Sequence, residues 1–114
     1  MKIKKKKKFC FDLDGVICRT IKSSYRKSKP IVSSIKKINE LYDKGNYIII
    51  FTARYMGRNN DNIYKAKKMG YNLTLRQLKS WGVKYNKLIF GKPSYDIIID
   101  DKAIFYSSKW KNEI

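Results

Sequence analysis

A chain of 114 residues, 43% of them hydrophobic, is long enough for one domain with its own core and too apolar for a disordered polymer. It carries 27 Lys and Arg against nine Asp and Glu, a formal charge of +18, and no His. The missing imidazole excludes Ser-His-Asp and Cys-His catalysis, a phosphohistidine intermediate and His-ligated zinc; no apolar stretch approaches the roughly 18 residues of a membrane span.

The predicted elements alternate. After the lysine run Lys4–Lys8, Phe9–Leu13 reads as a short buried strand ending at the doublet Asp12/Asp14. The run resembles the charged start of a secretion signal, but no long apolar region follows it, so a cytoplasmic place is expected. It is read either as a solvated end or as a field that draws in anions. Gly15 suits a sharp turn with positive φ. Ile17–Lys29 is a polar connection, and Pro30 is expected in the first turn of a helix that carries Ile31, Ile35, Ile38 and Leu41/Tyr42 on one face and stops at Gly45. Tyr47–Phe51, YIIIF, is apolar on both faces, as in a parallel strand covered from both sides, and ends in Thr52-Ala53-Arg54.

Residues 55–60 form a polar loop. Asp61 or Asn62 would cap a short helix that Gly70 breaks, and Thr74-Leu-Arg-Gln77 has the capping-box pattern for a second short helix ending near Gly82. Leu88–Phe90 is a brief strand, edge or fragment, since too few residues separate it from the next apolar run for a normal crossover. That run, Ile97–Ile99, ends at a second acidic doublet, Asp100/Asp101, and a short helix or loop closes the chain. A mainly parallel α/β sheet follows, in which ligands bind at the carboxyl ends of the strands; Asp12, Asp14, Thr52, Asp100 and Asp101 all fall there. Trp81, Tyr85 and Trp110 are read as packing residues. Cys10 and Cys18 form no disulfide framework or metal knuckle and are read as small buried groups. Neither begins a cysteine-phosphatase loop, since Val16 and Ser24 stand where Arg is needed, and no GxxxxGK[ST] loop occurs. Any chemistry therefore rests on carboxylates, lysines, hydroxyls and backbone amides, and the hard carboxylate oxygens suit Mg²⁺.

The order FDLDGV, an apolar run ending in TAR, then GKP, then IIIDD resembles the haloacid dehalogenase-like phosphatase superfamily over about residues 9–106, and most of all its small capless members of capsule and surface-polysaccharide biosynthesis. The resemblance implies a single domain, 1–114, built as a three-layer Rossmann-like sandwich without a cap. It implies Asp12 as the nucleophile that forms an aspartyl-phosphate and Asp14 as the general acid and base. Thr52 and Lys92 would bind phosphate, with backbone amides near Leu13, Asp14 and Ala53. Mg²⁺ would be held by Asp12, the Asp14 carbonyl, Asp100 and, directly or through water, Asp101. Arg54 would contact substrate, or instead pair with Asp61 or a phosphate. The implied substrate is a small phosphorylated metabolite, with no membrane partner; a nucleotide or polynucleotide end, and a catalytically idle anion-binding module, are the alternatives.

Overall fold

The computed structural model describes residues 5–114. Its centre is a three-stranded parallel sheet: β1 (Lys8–Asp12), β4 (Tyr47–Thr52) and β5 (Lys87–Phe90), in the order β1-β4-β5. Two antiparallel pairs of residues, β2 (Cys18–Arg19) and β3 (Lys29–Pro30), clip together the base of a flap after β1. Helix α1 (Val32–Asp43) connects β1 to β4 and α2 (Ile63–Ser80) connects β4 to β5. Lys5–Lys8 are exposed, which leaves them solvated; Lys4 lies outside the described residues.

Register explains the core. Phe11 is opposite Ile50, and Ile50 is opposite Leu88, so these side chains share one face. Ile35, Ile38 and Leu41 of α1 and Leu78 of α2 join Phe11, Ile48 and Ile50 in a single cluster. Both helices therefore cover the same face, as expected when two crossovers of one hand step the same way across a sheet. Cys10, Ile49, Phe51 and Ile89 share the opposite face; Cys10 is exposed and the other three are half-buried. Trp110 closes the helical side, its ring centroid 5.6 Å from that of Phe11, while Trp81 and Tyr85 pack against the cluster from its edge.

Several expectations change. Pro30 is in β3, and the helix starts at Val32 behind Ile31, so the proline directs the chain into the cap rather than the first turn. Gly45 is the stop, with φ +92°. Asn62 is the cap of α2, accepting from the Lys65 amide, but α2 is one helix, not two. Gly70 lies buried within it because the Tyr55 ring occupies the space a Cβ would need. Thr74 and Gln77 are thus interior positions, not a capping box. Lys87–Phe90 is a paired edge strand, and Ile97–Ile99 forms no strand: the three isoleucines lie exposed, Ile97 at 81% and Ile99 at 96%. The short connection after Phe90 has no neighbouring strand to reach. Among the described residues, no helix is long and apolar enough to cross a membrane.

Candidate functional site at the carboxyl end of the sheet

The end of β1 turns sharply. Three successive amides, Val16, Ile17 and Cys18, donate to the Leu13 carbonyl, and Gly15 adopts φ +93°, a region costly for residues with a Cβ. The turn buries Leu13 completely and leaves Asp12 and Asp14, on either side of it, partly open. Asp12 Oδ1 accepts from the Leu13 amide at 2.9 Å, so that amide serves the carboxylate itself.

Lys92 reaches the same point from the end of β5. Its amide donates to the Thr52 carbonyl at 3.1 Å, and Gly91 supplies the turn with φ +104°. Its Nζ lies 3.2 Å from Asp12 Oδ2. Burial raises the pKa of Asp12, and the attraction and hydrogen bond of Lys92 only partly counter this. For Lys92, burial acts to lower the pKa, but the hydrogen bond to Tyr95 and the charge of Asp12 outweigh it, and the net direction is upward. The contact at 3.2 Å leaves a lysine cation beside a carboxylate that is partly desolvated.

Thr52 is fully buried, its Oγ1 accepting from the Arg54 amide at 3.1 Å. Ala53, half-buried, accepts from the Met56 amide through its carbonyl and so starts the loop after β4.

Arg54 is the unexpected centre. Its side chain has no solvent exposure, and its guanidinium holds Asp14 by a fork: Nε at 3.2 and 3.0 Å from the two carboxylate oxygens, NH2 at 3.0 Å from Oδ1. NH1 donates to Thr74 Oγ1 at 3.2 Å and Gln77 Oε1 at 2.5 Å; NH2 also donates to Ser28 Oγ at 3.2 Å. The Tyr25 ring lies 5.0 Å from the guanidinium carbon. Thr20 donates to Asp14 Oδ1 at 2.5 Å, so Ser28, 2.6 Å away, donates to Thr20. Arg54 is therefore engaged by protein groups; it is neither free for substrate nor paired with Asp61, whose carboxylate accepts from Ser94. Burial and the adjacent Asp14 push the Cys18 thiol up to about 11. Asp14 Oδ2 accepts from Arg54 Nε alone among these donors, and the side chain is 25% exposed.

Sequence reasoning missed Thr20, Ser28, Thr74 and Gln77. The last two offered one signal: three apart on a helix, they share a face and can serve one partner.

Asp100 and Asp101 are not brought to Asp12. Both are exposed, and Asp100 accepts from the Lys102 amide in a local turn. Burial above all raises the pKa of Cys10 on β1, opposed by the charge of Lys92 and assisted by those of Asp12 and Asp100. Among the described residues, no three His, Cys, Asp or Glu side chains are grouped as a metal site. The donor types, Asp12 and the Asp14 carbonyl with the two distant acids, suit Mg²⁺; the four are not gathered around one point.

No protein-family model matches the chain, and no curated protein matches it. Among solved structures, it is similar to a structural-genomics target from Vibrio cholerae, with 27% identity, coverage of 94% of both chains and a TM-score of 0.80. That protein's title names no activity, so the likeness supports the α/β architecture and leaves the chemistry to the residues.

Proposed function

We propose that the chain is a Mg²⁺-dependent phosphomonoester hydrolase of the haloacid dehalogenase-like type, acting through an aspartyl-phosphate on a small sugar phosphate or related metabolite. The observation that carries this reading is the Asp12–Lys92 contact at the carboxyl ends of β1 and β5, with Thr52 and Asp14 beside it. A carboxylate repels a phosphate dianion; a fixed cation next to it is what nucleophilic attack on phosphorus requires. Asp12 would attack phosphorus as the bond to the leaving oxygen breaks, and Asp14 would give that oxygen a proton. Water then attacks the acyl phosphate, Asp14 takes the proton, and inorganic phosphate leaves. Oδ2, the Asp14 oxygen with the fewer donors, would carry that proton. Thr52 Oγ1 accepts from the Arg54 amide, so its own proton would serve a phosphate oxygen once the buried hydroxyl is opened to the site. Mg²⁺ would be held by Asp12 and the Asp14 carbonyl, with Asp100 and Asp101 joining once the chain after Gly91 moves towards them, and would supply neutralising charge.

The third layer of the sandwich belongs to the same proposal: the chain after Gly91 would cover the Cys10, Ile49, Phe51 and Ile89 face. A role in surface-polysaccharide assembly follows from the resemblance, and a cytoplasmic place belongs to the proposal on the sequence ground given above. The test is hydrolysis of p-nitrophenyl phosphate and a panel of sugar phosphates. Turnover with Mg²⁺, lost in chelator and in Asp12→Asn, supports the reading; near-normal turnover by Asp12→Asn, or by the wild type in excess chelator, overturns it.

A further inference from the structure

A cleft of about 250 Å³ opens between the flap and the loop after β4, lined by Ser23, Ser24, Tyr25, Arg26, Lys27, Tyr55 and Arg58. Both segments leave the sheet at its carboxyl end, where Asp12 and Asp14 lie. Tyr25 links cleft and site: it lines the first, and its ring lies against Arg54, which grips Asp14.

The lining holds three cations and no carboxylate. Arg26, Lys27 and Arg58 are exposed, and none forms an ion pair among the described residues. Arg58 is the best fixed of them. Its guanidinium lies 4.7 Å from the Tyr55 ring and 5.4 Å from the Tyr25 ring, and NH2 donates to the Ser23 carbonyl at 3.1 Å. One bond to the protein leaves most of its five N–H donors unused. Lys22 and Ser23, at φ +49° and +58°, bend the flap so that the Ser23 carbonyl meets Arg58. A planar guanidinium resting against two rings that also contact each other, with spare donors, is suited to an oxyanion.

We propose that this cleft receives a second acidic group on the substrate, so that the preferred phosphomonoester is an acidic one, with a carboxylate or second phosphate away from the scissile phosphate. This rests on the phosphatase reading for the reaction but not for the binding. Arg58 takes the second anion, Arg26 and Lys27 add field, and the Ser23 and Ser24 hydroxyls are at hand as donors. A neutral sugar phosphate offers these groups only hydroxyl acceptors and no second charge.

The experiment compares 6-phosphogluconate with glucitol 6-phosphate, open-chain phosphates that differ at C1 in a carboxylate against an alcohol, and glucose 1,6-bisphosphate against glucose 6-phosphate supplies the second-phosphate arm. Binding is measured by calorimetry on Asp12→Asn, which cannot turn substrate over, and kcat/KM on the active protein. A charge-assisted contact predicts a preference of about tenfold for at least one acidic compound. Arg58→Gln should erase that preference while hydrolysis of p-nitrophenyl phosphate stays within about twofold. Arg26→Gln/Lys27→Gln, which touches only exposed side chains, should reduce it in part and guards against misfolding of the first variant. Equal binding of acidic and neutral compounds, or a preference that survives both variants, overturns the proposal. So does faster turnover of a phosphorylated oligonucleotide than of every small compound. Preferential, Arg58-dependent binding without hydrolysis would uphold the cleft and remove the phosphatase reading.

Discussion

Arg54 shows how one side chain can dominate its surroundings. Asp14, 40 positions away in sequence, is its ion-pair partner, and no local pattern announces a pairing of that kind. The acids at strand ends, Thr52 and the lysine after Gly91 were legible because each follows from a short pattern and its place on a strand. What Arg54 touches was not. Arg54→Met would leave Asp14 as a carboxylate without its fork and Gln77 without its donor; loss of one member of a buried pair costs about 3–5 kcal/mol. We expect about 3 kcal/mol in denaturant midpoints, since Asp14 keeps some solvent. Arg54→Lys should recover part of the stability but little turnover, because an ammonium cannot hold both oxygens in one plane. Full turnover in Arg54→Lys would deny Arg54 a positioning role. Cys18 gives a second expectation. Its folded pKa is raised from an ordinary 9.0 to about 11, so between these values the folded state retains a proton that the unfolded state has lost. Stability should be unaffected below about pH 9 and should fall as pH rises towards 11. Cys18→Val should flatten that slope in pH-dependent chemical denaturation; an unchanged slope would assign it to lysines and tyrosines.

At the scale of elements, the three strands of the sheet and helix α1 follow from apolar period and caps, and the structure moves their ends by a residue or two, whereas α2 reads as two short helices and is one. Failures occurred where tertiary contacts redirected a local signal. Gly70 reads as a breaker, yet the helix runs through it because Tyr55 fills the missing side chain's place. Tyr55 itself has φ +64° and is buried with Met56, Ala66 and Phe90. Gly70→Ala should therefore not stabilise α2, despite a propensity gain of up to ~1 kcal/mol. Overpacking costs about 1–3 kcal/mol, and we expect a net loss of about 1 kcal/mol in thermal or denaturant melts. A rise in Tm would mean that Tyr55 moves aside freely. Ile97–Ile99 failed differently. An apolar β-branched run shows that a segment is fit for a sheet, but not whether an edge receives it.

For the whole molecule, the second acidic doublet is the open connection. The sheet is complete from β1 to β5 without Asp100 and Asp101, so a part they play in holding Mg²⁺ requires the chain after Gly91 to change its position. Amide exchange read by mass spectrometry, with and without Mg²⁺, checks this: protection should rise at residues 97–101 as well as around Asp12. Protection confined to the turn after β1 would leave the ion to Asp12 and the Asp14 carbonyl.

The contact of Trp110 with Phe11 has a consequence for synthesis. The first strand emerges from the ribosome nearly the whole described chain ahead of the indole that covers it. Until then Phe11, on an edge strand with an apolar face, has neither lid nor full sheet, and exposed strand edges of this sort are where nascent chains stick to one another. The lysines directly before it, Lys5–Lys8, place a dense like charge beside that strand in every copy. Mutual repulsion between neighbouring nascent chains would then guard the first strand during the interval before Trp110 arrives.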